Sequence, residues 1–379
     1  MSHILIGMIE VGFGHKGPAL AIQEALKETF PGQHHIDVLD FPRAVGAHRT
    51  DKALKGAWNV ALKQTWMVRF SYAFMEVLYP FSVAFLRPLL SDFFTRGGRY
   101  LAENPPDLFI ATHPMCLNVA ALARKRYGLR FPLVADVVDP FDGYSLWADK
   151  SADLFLVHSQ ESRQSLLDHG IDEARIKIVS YPRLPAMNTP TQSIEQLRET
   201  YGLSHDPSDH KNSVILATSG SQGLGRVYTF VRRAFLDGLP LDFLVVTGKN
   251  RALYEELVAL SRDPRYQKLP GRLIPLPFVN SMAELYTICD MVAGKAGAAT
   301  CMETLYHKKP LICTEWAGQN DYKIIQFLKK NRLGSYTPRY KDFIGLLQKK
   351  PVYEKINVEF SVNGIIQELR SIHVISGSM

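Results

Sequence analysis

Three turns rich in glycine and hydroxyl residues are the parts of this chain best suited to chemistry, and each follows a short β-branched run and opens a helical pattern. The first, Gly12-Phe13-Gly14-His15-Lys16-Gly17, formally matches G-x-G-x-x-G. Glycines there permit tight turning and close backbone approach, and a helix N-terminus offers unpaired N–H groups to an anion. Asp37 or Asp40 near the end of the next strand could act as a ribose-binding acid, so a dinucleotide oxidoreductase is a rival reading. Against it, His15 and Lys16 stand where backbone should cradle pyrophosphate. His15 suits proton chemistry instead, because an unperturbed imidazole pKa near 6.5 fits proton uptake from a hydroxyl at neutral pH. Asp139 and Asp142 are candidates to orient it or replace it.

The second turn, Thr218-Ser219-Gly220-Ser221-Gln222-Gly223-Leu224-Gly225, can hold a diphosphate through backbone donors. Two such loops facing each other from two domains would hold a ligand in the cleft between them. The third constellation is the most specific. It comprises Phe278-Val279-Asn280-Ser281-Met282, then Lys295-Ala296-Gly297-Ala298-Ala299-Thr300 with Glu303, and finally Gly318-Gln319-Asn320. The run of small residues forms an anion nest, and Glu303 lies about one helical turn beyond Thr300. A carboxylate there can accept hydrogen bonds from both hydroxyls of a ribose. Gln319 and Asn320 carry donors and acceptors suited to sugar hydroxyls.

The elements that must position these residues alternate strand and helix in both halves, which predicts parallel sheets wrapped by helices, an α/β fold. A chain of 379 residues exceeds what one core usually supports. Tyr181–Gln192 carries three prolines without periodicity and reads as a linker. The expected division is an N-terminal domain over 1–185, a second over 186–352, and a terminal segment over 353–379. In that segment Tyr353–Ser371 is predicted as a helix packing back toward the first domain.

Composition narrows the class. Apolar residues at 46% and charged residues at 21% describe an ordinary globular protein. A net charge of +7 favours phosphate-bearing partners: nucleotides, nucleic acid or anionic lipid. Four cysteines without a C-x-x-C pair predict reduced thiols, no zinc and a cytoplasmic setting. The first apolar run is too short for a signal peptide and reads as a strand. The apolar zone from Trp66 to Leu90 is broken by Arg69, Glu76, Pro80 and Arg87, so it does not span a membrane. With Phe70 and Phe74 beside Trp66 and Arg69, it suits an interfacial segment on an anionic membrane surface, the alternative being an ordinary buried helix pair. Lys323–Lys350, with Asp342 as its single acid, adds positive charge.

Gly12–Ala21, Thr112–Pro114, Asp139–Ser159, Ser219–Gly225, Val246–Asn250 and above all Phe278–Asn320 resemble the monogalactosyl- and glucosyl-diacylglycerol synthases, and more distantly the MurG enzymes. The resemblance runs in register from about Ile4 to Gly334. It implies the GT-B fold of two Rossmann-like domains, with a UDP-sugar in the second and a lipid acceptor in the first. Carried over, it puts the base near Val279, between Phe278 and Met282, and the ribose on Glu303. The diphosphate falls on Ser219, Gly220, Ser221, Gly297, Ala298, Ala299 and Thr300, and the sugar hydroxyls on Gln319 and Asn320. Gly14, Gly248, Lys249, Asn250 and Lys295 belong to the same implied donor site, and His15 becomes the loop histidine. Trp147 falls on the acceptor side. The lipid synthases typically show Thr-Asp followed by His and Trp; here Asp139 and Trp147 match and the histidine does not.

The expected activity is inverting transfer of a hexose from a UDP-sugar to a lipid such as diacylglycerol, by a protein attached peripherally to the membrane. No Asp-x-Asp pair calls for a metal, no cofactor beyond the donor substrate is expected, and nucleic acid is not an expected partner. Oligomeric state is left open. A UDP-sugar epimerase of the same fold and a non-catalytic sugar-nucleotide sensor are the remaining rivals.

Overall fold

The computed structural model describes residues 1–10, 13–63, 65–183, 189–203, 212–279, 282–349 and 351–372. The chain divides into two compact units. The first comprises Met1–Leu184, Gly318–Asn320 and Glu359–Met379, and the second Pro185–Ala317 and Asp321–Val358.

The first unit is built on a parallel sheet of β1 (Ser2–Met8), β2 (His34–Asp40), β3 (Leu108–Ala111), β4 (Leu133–Asp136), β5 (Leu154–Val157) and β6 (Ile176–Ile178), in the order β2-β1-β3-β4-β5-β6. β3, β4 and β5 are buried along their whole length, as strands covered by helices on both faces must be. One core packs Phe93, Phe109, Val119 and Trp147 on one face of this sheet. A second packs Ile4 and Ile6 with Ala19 and Ile22 of the helix Phe13–Thr29 and with Ile365, Ile366 and Leu369.

The second unit repeats the plan with β7 (Ser213–Thr218), β8 (Leu241–Val246), β9 (Arg272–Leu276), β10 (Met291–Lys295), β11 (Leu311–Glu315) and β12 (Gly334–Tyr336). Their order is β12-β11-β10-β7-β8-β9, again all parallel. In each sheet the strand order reverses beside the first strand: between β1 and β3, and between β7 and β10. Ligands of open parallel sheets bind at such reversals, outside the carboxyl ends of the strands. The first glycine turn follows β1, the second follows β7, and Gly297 follows β10.

The terminal segment differs from the sequence reading. Only Asn363–Ser371 is helical; Tyr353–Glu359 has no regular secondary structure. Its backbone finds partners elsewhere: the Glu354 N–H donates to Arg332 O at 2.8 Å, and Phe360 forms a parallel bridge with Tyr181. The apolar positions that suggested one continuous helix serve two separate structures.

Candidate functional site

At the carboxyl ends of β1, β3 and β4 the first unit gathers His15, Thr112, His113, Asp136 and Asp139. His15 Nδ1 lies 2.6 Å from the carbonyl oxygen of Thr112. A carbonyl only accepts, so Nδ1 carries the proton and Nε2 is left as an acceptor. Thr112 returns the contact, its hydroxyl donating to His15 O at 3.1 Å. The His113 ring packs 4.5 Å from His15, and its Nδ1 caps the helix Pro114–Tyr127 by accepting from the Met115 N–H. Burial lowers the His15 pKa below its ordinary value, opposed by the Asp139 carboxylate, the Thr112 carbonyl and Asp136. Burial and the neighbouring His15 push His113 well down. Two neutral imidazoles therefore stand at the switch point, one with a lone pair suited to accept a proton.

Asp139 is buried, and both its oxygens are engaged. Oδ2 accepts from Trp147 Nε1 at 2.8 Å and Oδ1 from Asn320 Nδ2 at 2.7 Å. Its carbonyl accepts from Ser162 Oγ, which pins the loop to the helix Gln160–Asp168. Trp147, expected on the acceptor side, has a fully buried indole whose N–H holds Asp139. Asp142 is the other acidic catalytic candidate. It is buried toward the helix, where it accepts from Ser165 Oγ at 3.0 Å and acts electrostatically on His169.

Two clusters were not foreseen. Asp136 and His158, both with fully buried side chains, lie 3.1 Å apart at the ends of β4 and β5. An acid and a histidine at strand carboxyl ends were the available signal. Glu76 joins the aromatic helix Thr65–Val77 to the Asp139 loop: Oε1 accepts the Ser145 N–H at 2.8 Å and Oε2 meets His169 Nε2 at 2.9 Å. The glutamate raises the His169 pKa, and His169 with Ser145 lowers that of Glu76 against its burial.

The aromatic zone is surface. Phe70 is 67% exposed and Phe81 70%, with Val77 and Leu89 also bare, and the Phe70 and Phe74 rings stack at 6.1 Å. The buried-pair alternative fails for these residues. The side chains of Trp66 and Arg69 lie outside the described ones, as do Gly12, Asn280 and Ser281. No helix among the described residues is long and apolar enough to cross a membrane.

In the second unit the two anion nests are not equivalent. The helix Arg226–Leu236 begins at Gly225, and its first N–H, on Arg226, donates to Glu315 Oε1 at 2.9 Å. A Cβ at Gly225 would collide with that carboxylate oxygen and with Ser219 Oγ, so glycine is needed for the approach. Burial raises the Glu315 pKa, against the Arg226 N–H and the Lys295 charge. Ser219 is spent internally, its N–H on Tyr228 OH and its hydroxyl on Leu224 O. Of the three residues expected to hold a diphosphate through backbone donors, Ser219 therefore has its N–H already engaged, while Gly220, exposed at φ +69°, and the half-buried Ser221 form the rim of that turn.

The helix Ala298–Tyr306 has no side-chain cap at Gly297 and no acid in its first turn. The N–H groups of Ala298, Ala299 and Thr300 precede the first intrahelical bond, which Cys301 makes to Gly297 O. Lys295, paired with Asp321 at 3.0 Å, passes beneath: a Cβ on Gly297 would stand 3.6 Å from its Cε. Glu303 sits five residues beyond Ala298 on the same helix, largely buried. This is the better anion site of the two, because no carboxylate among the described residues caps it. Phe278 is half exposed, and Val279 and Met282 are half-buried around the segment that opens the helix Ala283–Ile288. Asn250, expected in the donor site, builds its turn: Oδ1 caps the helix Arg251–Arg262 and Nδ2 donates to Gly223 O. Lys249 is exposed, and Gly248 takes φ +58° against the Ser221 carbonyl, a position no Cβ could enter. Gln319 and Asn320 open the helix Gln319–Lys330 and are half-buried.

Two helix-wrapped parallel sheets of this topology, each with its candidate site at the strand-order reversal, define the GT-B class of architecture. Within it the chain resembles the monogalactosyldiacylglycerol synthase and diacylglycerol glucosyltransferase group. Residues 15–182 match the family described as monogalactosyldiacylglycerol (MGDG) synthase, and residues 214–323 match the glycosyltransferase family 28 C-terminal domain. A probable chloroplastic monogalactosyldiacylglycerol synthase of Glycine max is 23% identical over 353 residues, covering 89% of this chain and 63% of the plant protein. The chain thus spans a little under two thirds of that relative. The processive diacylglycerol beta-glucosyltransferase of Bacillus subtilis is 26% identical over 217 residues, 57% of this chain and 53% of that protein. Among solved structures, Acinetobacter baumannii MurG aligns with a TM-score of 0.55 at 14% identity, covering 92% of this chain and 91% of that one. That likeness is one of fold.

Proposed function

We propose that the protein is an inverting glycosyltransferase that moves a hexose from a UDP-sugar to a lipid acceptor such as diacylglycerol. The observation that carries this reading is the uncapped helix N-terminus at Gly297–Thr300 with Glu303 on the same helix, inside the glycosyltransferase family 28 segment. Backbone donors there suit the diphosphate, Glu303 the ribose hydroxyls, and Phe278, Val279 and Met282 the base. Charge that develops on the leaving diphosphate meets fixed N–H dipoles that need no reorganisation, with the Lys295 cation beneath them. The acceptor hydroxyl gives its proton to His15 Nε2 as it attacks the anomeric carbon from the face opposite the nucleotide. Asp139 favours the imidazolium that forms. The names of the soybean and Bacillus relatives support a diacylglycerol acceptor. The exposed Phe70, Phe74, Phe81 and Leu89 support peripheral attachment to a membrane.

The test incubates the protein with UDP-glucose, UDP-galactose or UDP-N-acetylglucosamine and diacylglycerol in anionic vesicles, with mass spectrometry of lipids and nucleotides. A glycolipid product supports the proposal; donor isomerised without acceptor points to an epimerase instead. Glu303→Ala should weaken UDP binding in calorimetry by about 1.5–3 kcal/mol, the cost of lost hydrogen bonds to a charged acceptor. Unchanged affinity in a folded variant removes Glu303 from the ribose site.

A further inference from the structure

At the edge of the first sheet β1 and β2 pair in a register that sets His3 beside His35 and Leu5 beside Asp37, the acid the sequence offered for a ribose. Paired residues of parallel strands face the same way, and residues two apart along a strand do too. His3, His35 and Asp37 therefore share one face, and the pleat turns His34 to the other. Their side chains converge on one point. His3 Nε2 lies 3.0 Å and His35 Nε2 3.1 Å from the same Asp37 oxygen, and the two rings stand 5.4 Å apart. All three candidate ligand atoms fall within 4.8 Å of one another.

We infer that His3, His35 and Asp37 form a binding site for a divalent transition-metal ion of the zinc type. A tetrahedral ion with ligands at about 2.0–2.2 Å holds its ligand atoms about 3.3–3.5 Å apart. Separations of 3.0 and 3.1 Å between each nitrogen and the carboxylate oxygen need only a few tenths of an ångström of adjustment. Each imidazole meets the ion through Nε2 as the tautomer that carries its proton on Nδ1, and the carboxylate supplies one negative charge to it. Two imidazoles and a carboxylate select zinc, nickel or copper over magnesium or calcium, which prefer all-oxygen sets. The strands hold the backbones of all three residues before the ion arrives: the main-chain N–H of His3 donates to Asp107 Oδ2 at 2.7 Å, and His35 and Asp37 are fixed by their register against His3 and Leu5. With the ligands half-buried to exposed, water completes the shell, and the ion ties edge strand β2 to β1.

Calorimetric titration of zinc chloride into the full untagged chain, stripped of metal, tests this. One ion per chain should bind with micromolar affinity, weakened about 10–100-fold or more by His35→Ala and by Asp37→Asn. His34→Ala, on the opposite face, should leave the affinity within about twofold, and zinc should raise the melting temperature of the wild type but not of His35→Ala. Because His35 is largely exposed on an edge strand, its removal leaves the fold intact, which circular dichroism checks. The inference is overturned if the wild type binds no zinc below about 100 μM, or if His35→Ala and Asp37→Asn bind it as the wild type does. Neither result depends on sugar transfer.

Discussion

Asp139→Asn probes the centre of the first unit most directly, because both carboxylate oxygens have identified donors. Trp147 Nε1–H reaches one oxygen at 2.8 Å and Asn320 Nδ2–H the other at 2.7 Å. An asparagine offers one oxygen and one NH₂ group, so whichever way the amide turns, one donor faces another donor. A charge-assisted bond of about 1.5–3 kcal/mol is lost, and the survivor falls to a neutral bond of about 1 kcal/mol. Relief from burying a charge offsets part of this. The net expectation is a loss of about 2–4 kcal/mol in unfolding free energy, read from the urea midpoint at constant m. The same substitution removes the Coulombic influence that raises the His15 pKa against burial, so His15 must titrate at a lower pH in the variant. NMR titration of the imidazoles, with the His15 signal assigned through His15→Gln, measures this without an enzymatic assay. A loss below about 0.5 kcal/mol, or a His15 titration moved to higher pH, would refute the network as described.

Two further expectations concern stability. His15 and His113 both have pKa values depressed by burial, so the stability they contribute is present above their unfolded value near 6.5 and is lost as the pH falls through the folded values. Urea midpoints should therefore fall as the pH drops below about 6.5, and fall less in His113→Asn, which keeps an N-cap acceptor for Met115; identical slopes in the two proteins would contradict this. His169, raised by Glu76, contributes with the opposite sign, its share being lost as the pH rises, and it cancels in the comparison. Ala298→Pro should stabilise the protein by about 0.4–1 kcal/mol, since Gly297 at φ −97°, ψ 145° already has the backbone that a following proline requires and the first helical N–H has no intrahelical partner. Destabilisation in thermal melts would mean that the Ala298 N–H is needed in the folded state.

What could be read in the sequence was local, and what could not was the partner of each side chain. The glycine turns after β1 and β7 and the small-residue run after β10 declare themselves because strand, turn and helix signals lie within ten residues of one another. Their chemistry does not. Ser219–Gly225 and Gly297–Thr300 look alike as anion nests, yet the first is closed by Glu315, 89 residues beyond the N–H it caps, and the second is open. Trp147 resembles an acceptor-facing residue by its position in a motif, but its indole turns inward because a buried carboxylate eight residues earlier needs a donor. That carboxylate in turn depends on Asn320, 181 positions away. Asp142, three residues from Asp139 and equally acidic, faces Ser165 and the helix instead. Proximity in sequence therefore said nothing about which aspartate acts electrostatically on His15; the parallel sheet decides it, by bringing the ends of β1, β3 and β4 to one place while the chain between them wanders through helices. The same sheet explains the histidines of β1 and β2. His3 and His35 are 32 residues apart, and only the register of two parallel strands makes them neighbours. Residue types and turn geometry thus mark where chemistry can happen, and the strand order determines which residues meet to perform it.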